Sequence, residues 1–251
     1  MRAARAKEEV EALEQRLLDA RVSARARGCE IVLDCLATSV LTSKAVITRS
    51  LSVVQRLVSS DSELYAPYYT QVAAGTRLPE DNDWDRGRSA VDQTVFPSYA
   101  DEIVFGALSL DGSGVAGYGA YAIFLREDRI QHRATVFEEN PFVFLRKHKV
   151  VTGDPLPRGY RACWDTRGQL AQAKLHSRLE PTTTAGDFAE LLLSNGATAG
   201  DDDFIEVHVF GPIHRRAIER VIGPTPKKRD RALIKSLRRK LQEVGAELEI
   251  R

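Results

Sequence analysis

The sequence predicts an α+β protein, and three observations carry that expectation. Residues 102–144 (EIVFGALSLDGSGVAGYGAYAIFLREDRIQHRATVFEENPFVF) alternate apolar, β-branched and aromatic residues with other types between Gly-rich turns, as strands do. A shorter stretch, residues 203–211 (DFIEVHVFG), repeats the pattern. Both ends of the chain instead place apolar residues at helical spacing.

Composition frames the rest. A chain of 251 residues with 43% hydrophobic and 28% charged residues suits a globular protein with one sizeable core or two modest ones. Its net charge of +1 averages a mixed N-terminal part and a strongly basic C-terminal one. Cys29, Cys35 and Cys163 lack CxxC spacing, which argues for a reducing compartment and against a disulfide framework. The first residues carry arginines without the apolar run of a secretory signal. No stretch approaches the ~18 apolar residues that span a bilayer. The expected location is the cytoplasm, with no membrane partner.

At the N-terminus, residues 5–27 line up Val10, Leu13, Leu17 and Ala20 as one helical stripe, closed by Gly28. Residues 29–40 (CEIVLDCLATSV) read as strand-like. Residues 43–59 return to helical spacing through Val46, Leu51, Val54 and Leu57, and Asp61-Ser62 ends that helix. The YAPYY run at 65–69 suits packing between helix and sheet, or a stacking platform. Residues 75–97 are polar and turn-rich, a loop in which Trp84 serves as surface residue, lid or anchor. A short helix over 89–96 precedes Pro97.

Candidate chemistry gathers in the strand-like regions. Within 203–211, Ile205, Val207 and Val209 face a core, while Phe204, Glu206, His208 and Phe210 share the other face. Side chains two apart on a strand stand roughly 6.5–7 Å apart, so a carboxylate and an imidazole are presented together. In the strand over 103–108, Gly106 allows a close approach to the backbone. The Gly-rich turn over 111–119 leads into another strand and not into a helix, so neither a Rossmann nor a P-loop reading stands. Tyr118 opens a stretch to Leu125 that is apolar on both faces, as a central strand is. Residues 133–137 form a further strand with Arg133 and Thr135 on one face. An arginine there needs an anionic ligand or an ion pair, and Glu206 is an eligible partner.

Other chemistries find less support. His208 and His214 lack a metal spacing, residues 201–203 (three Asp) suit a loop closure better than a cation site, and no Gly-x-Ser-x-Gly elbow occurs. No metal is expected. A helix is expected over 184–193 and another over 212–222, with Ile213, Ala217, Ile218 and Val221 inward. After the break at residues 223–226, the tail forms a helix with Leu233, Leu237, Leu241 and Val244 on one stripe, capped by Gly245, and then a short edge strand over 247–251. Eight cations from Lys227 to Lys240 cover the helix. Such a face is solvated or binds nucleic acid or an anionic surface.

In order, Phe105-Gly106-Ala107-Leu108, Tyr118-Gly119, Arg133-Ala134-Thr135 and Glu206-Val207-His208-Val209-Phe210-Gly211 resemble a bacterial family associated with the ADP-ribosyltransferase superfamily, in its toxin-like and phage-linked branches. The similarity spans roughly residues 30–220. It implies an ADP-ribosyltransferase-like split β-sheet core over 29–222, with an N-terminal helix (1–28) and a basic C-terminal helix and strand (223–251). It implies NAD as substrate, and mono-ADP-ribosyl transfer or NAD hydrolysis in a toxin, defence or phage-conflict setting. Glu206 and His208 would be catalytic. Arg133 would neutralise the pyrophosphate, Thr135 would position ribose or nicotinamide, and Tyr118 and Phe105 would stack on nicotinamide beside Gly106. The macromolecular acceptor is a protein or a nucleic acid. The chain departs from the family at Leu36-Ala37-Thr38-Ser39, at Glu138-Glu139-Asn140 and at His208. Those departures define the rival reading: a non-catalytic module that binds a protein or nucleic acid through its basic C-terminal helix.

Overall fold

A computed structural model describes residues 3–78, 83–97, 99–198 and 200–251, with the side chains of 83–86 outside the described set. Trp84, expected as a surface residue, lid or anchor, therefore has its side chain outside the described residues. The chain runs α1 (Lys7–Ala26), α2 (Glu30–Val40), β1 (Lys44–Arg49), α3 (Leu51–Leu57), β2 (Leu64–Tyr65), α4 (Tyr68–Ala73), α5 (Asp83–Val95) and β3 (Ile103–Ser109). It continues through β4 (Tyr121–Leu125), α6 (Glu127–Ile130), β5 (Ala134–Phe137), α7 (Pro141–His148), β6 (Arg161–Cys163), α8 (Arg167–Leu175) and α9 (Phe188–Leu192). It ends with β7 (Leu193–Ser194), β8 (Asp203–Phe204), β9 (Glu206–Phe210), β10 (Ile213–His214), β11 (Ile218–Gly223), α10 (Arg231–Gln242) and β12 (Glu247–Ile250).

The architecture is mixed α/β. One sheet runs in the order β12-β11-β4-β1-β3-β9-β5-β6. Its neighbours are antiparallel except β11 and β12, which are parallel. One face carries the main core, in which Leu13 of α1, Leu33 of α2, Leu170 of α8 and Leu237 of α10 join Ile123, Val207 and Val221. The three segments expected from the sequence thus contribute to one core. Arg167, 2% exposed, ties two of its helices together. It donates to the carbonyls of Val40 and Leu41 at the end of α2 and to that of Trp164 before α8, satisfying groups a helix end leaves open. The other face is covered over β3, β9 and β5 by Phe96, Phe137 and Phe144. No helix among the described residues is long and apolar enough to cross a membrane.

Three expected elements are corrected, and so is the loop expected over 75–97, of which Asp83–Val95 form α5, a longer helix than the one expected over 89–96. Residues 30–40 are helical, because Leu33, Leu36 and Val40 follow helical spacing into the core while Ile31 is 79% exposed. The helix expected over 43–59 is a strand and a helix. Val46 belongs to β1, and Val54 and Leu57 turn inward from α3. The helix expected over 212–222 is β10, a 3-10 turn and β11; Ile213, Ala217, Ile218 and Val221 are inward as expected, but on extended backbone. The tail follows its pattern, through Gly245 at φ +68° to the edge strand β12, although Ile234 takes the inward place and Leu233 is 45% exposed.

Candidate functional site

Strand register builds the site. β3 pairs with β9 so that Phe105 lies opposite His208 and Ala107 opposite Glu206; β5 sets Thr135 beside His208 and Phe137 beside Glu206. Opposed residues share a sheet face, here the face away from the main core, where Ile205, Val207 and Val209 point. Glu206 and His208 therefore stand together as the alternation requires, and both are buried. Phe204 sits on the separate strand β8.

His208 Nε2 lies 2.6 Å from Glu206 Oε1, and the imidazole is packed against the rings of Phe96, Phe105 and Phe137 at centroid distances of 4.5, 5.4 and 5.9 Å. Burial pushes the Glu206 carboxyl up to about 8, with Arg88 pulling the other way. Burial likewise pushes the His208 imidazole down to about 3, Arg161 adding to it. Near neutral pH the carboxyl keeps its proton and donates it to an uncharged ring, since a charged pair here would cost more desolvation than it returns.

Glu206 lines a cleft of about 830 Å³, a volume that includes the part open to solvent. α5 supplies its central cation. Arg88 Nε lies 3.2 Å from Oδ2 of Asp92, one helical turn on, and the Tyr69 hydroxyl donates to the same oxygen at 3.0 Å. Burial raises the Asp92 carboxyl to about 6, with Arg88 and Tyr69 opposing. Burial also opposes the Arg88 charge, but Asp92, Tyr118 and Glu206 outweigh it and hold the guanidinium above its usual value. Its plane lies 4.4 Å from the Tyr68 ring and 5.0 Å from Phe105, stacking that suits arginine better than lysine.

Arg49, at the end of β1, is the second cleft cation. Its guanidinium lies 5.1 Å from the Tyr65 ring and 5.7 Å from the Tyr118 ring, and its Nε donates to the Tyr65 hydroxyl. Arg77 is the third, 4.6 Å from Tyr68. Tyr118 reaches the cleft from a 3-10 turn before β4, half-exposed, and not from the strand itself.

Of the residues singled out in the sequence, the structure brings Glu206, His208, Phe105, Gly106 and Tyr118 together at or beside this cleft. The close approach at Gly106 is by the neighbouring strand: a Cβ there would stand 2.7 Å from the Val46 carbonyl oxygen. Thr135 borders a smaller cavity on the far side of His208, with Phe210 and Arg161. Arg133 lies apart. Its Nη1 donates to the carbonyl oxygens of Phe210, Gly211 and Pro212 at 2.6, 3.2 and 3.0 Å, so carbonyl dipoles and not an anion or Glu206 accept from it. Sequence reasoning missed Arg49, Arg77, Arg88 and Asp92, whereas Tyr69 belongs to the aromatic run at 65–69 that it singled out. A signal existed for one pair only, the helical i, i+4 spacing of Arg88 and Asp92. Among the described residues, no three His, Cys, Asp or Glu side chains are grouped as a metal site.

No protein-family model matches the chain, and no curated protein is significantly similar to it.

Proposed function

We propose that this cleft binds NAD and cleaves its nicotinamide–ribose bond, transferring ADP-ribose to an acceptor or to water, in a protein akin to the ADP-ribosyltransferases. The observation that supports this reading best is the buried Glu206 carboxyl on the floor of a cleft whose walls alternate guanidinium groups and aromatic rings. Arg49, Arg77 and Arg88 suit a diphosphate, and Tyr65 and Tyr118 offer flat faces to the bases. Departure of nicotinamide leaves an oxocarbenium-like ribosyl cation. The C1′–N bond breaks with its electron pair going to the neutral leaving base, and the acceptor bonds C1′ and gives up a proton. A carboxylate beneath the ribose stabilises that charge. Burial favours the protonated form of Glu206 near neutral pH, and a cationic nicotinamide ring above it would favour its ionised form. In this reading Arg88 and Arg49 take the pyrophosphate role that the resemblance assigned to Arg133.

Nicotinamide release from NAD by the purified protein, with and without cell extract, tests the proposal beside Glu206→Gln. The Gln amide donates to His208 as the protonated acid does, so the fold is kept. Release that the variant abolishes, with NAD binding retained, is the expected result. A wild-type protein that neither binds NAD nor releases nicotinamide sinks the reading.

A further inference from the structure

Residues 227–240 hold eight cations and one acid, a local charge of +7 in a chain whose net charge is +1, so that the remainder carries −6. Lys227, Lys228, Arg229, Arg231, Lys235, Arg238 and Arg239 are exposed. The ion pair found within this stretch, among the described residues, joins Arg229 to neighbouring Asp230 at 3.8 Å. Arg231, Lys235, Arg238 and Arg239 stand at i, i+4, i+7 and i+8 on α10, one face of a helix, spread over ~12 Å of its axis. No acidic residue interrupts them.

We infer that this face of α10 docks the phosphate backbone of a nucleic acid, without regard to base sequence. The apolar stripe of the same helix decides against a bilayer. Ile234, Leu237 and Leu241 are buried in the main core and Leu233 is the one large apolar residue of α10 left exposed, too little for the apolar face that an interfacial helix inserts into lipid. A protein partner is disfavoured by the chemistry of the ribbon, which offers charge but no aromatic or aliphatic anchor of the kind that carries protein interfaces. A chain of phosphates needs only regularly spaced cations and gains from the counterions it releases. The ribbon lies on the sheet face opposite the cleft, and the inference does not rest on NAD cleavage.

Fluorescence anisotropy of a labelled random-sequence DNA duplex, titrated with the full chain, tests it. Four phosphate contacts predict a slope of about −3.6 in log K against log salt, a loss of ~100-fold between ~50 and ~200 mM salt. The variant Arg231→Gln, Lys235→Gln, Arg238→Gln, Arg239→Gln keeps good helix formers at exposed positions, and its melting temperature verifies the fold. It should lose most of the affinity and flatten the slope by that amount. No binding at low salt, or binding that the variant leaves unchanged, overturns the inference. So does preferential capture by phosphatidylserine vesicles, or displacement by polyglutamate as effective as by unlabelled duplex at equal charge.

Discussion

The Nε2 atom of His208 lies 2.6 Å from Oε1 of Glu206, and the hydrogen bond joins an uncharged acid to an uncharged base. Both groups are driven to their neutral forms by the same cause, burial on one strand beneath aromatic rings. This pair therefore ties protonation to both stability and chemistry.

Stability should fall on the alkaline side, and Glu206 should be the reason. A carboxyl whose folded pKa is raised stabilises the fold fully below its unfolded value, and that contribution is lost as pH climbs to the folded value. For Glu206 the loss runs up to about 8; Asp92 has the same sign but is finished by about 6. His208, depressed to about 3, has the opposite sign. Its contribution is complete above ~6.5 and lost as pH falls. Between pH ~6.5 and about 8, Glu206 is thus the one member of the trio still titrating. Thermal melts across that window should show the wild-type midpoint dropping and Glu206→Gln holding level. A level wild-type profile would contradict the assignment of a protonated Glu206.

Arg88 opposes the rise of Glu206 and flanks Asp92. Arg88→Gln should move the alkaline limb of the stability profile to higher pH, because the carboxyl loses its neighbouring cation. Nicotinamide release should shift the same way, and KM for NAD should rise at least tenfold, the effect of ~1.4 kcal/mol of lost binding. Unchanged KM with a shifted pH profile would leave Arg88 as a tuner of Glu206 and remove it from the phosphate site.

Half of the site was readable before the fold was known. Glu206 and His208 sit on a strand that is buried on both faces but polar on one only, so period-two alternation of residue type reported their shared face. α1, β3, β4 and α10 also followed their patterns. β1 and β11 did not: the apolar run Ala45-Val46-Ile47 carries no period that separates strand from helix, and around β11 the inward residues Ile213, Ala217, Ile218 and Val221 fall at helical spacing, with Glu219 and Arg220 between them. Only the second half of α5 was legible, as the short helix expected over 89–96; its first half, with Arg88, read as loop because polar residues turned into the protein leave hydrophobic patterning silent. Gly87 further weakens the helical signal, yet it serves packing, since a Cβ there would stand 3.0 Å from a ring carbon of Phe142.

The turn bearing Tyr118 depends on Gly119. Its φ is +143°, and a Cβ would lie 2.3 Å from the carbonyl carbon of Arg49. Gly119→Ala must shift the turn against the end of β1, at a cost above ~1 kcal/mol. Displacing Tyr118 from beside the Arg49 guanidinium should raise KM for NAD more than it lowers kcat. A variant that melts lower but keeps the wild-type KM would remove Tyr118 from the binding wall.

Arg133 separates structural from chemical roles. Its guanidinium gathers three carbonyl oxygens at the end of β9 and in the turn after it, and loss of charge-assisted hydrogen bonds of this kind costs about 1.5–3 kcal/mol. Arg133→Ala should therefore lower the melting temperature by several degrees. Because none of those partners lines the cleft, NAD affinity measured well below the melting midpoint should match the wild type. Arg49→Ala should behave in the opposite way on affinity, since that guanidinium stands in the cleft between two tyrosine rings. If Arg133→Ala loses NAD binding while folded, the phosphate site lies at the end of β9 and the cleft between α5 and β1 is the wrong place to look.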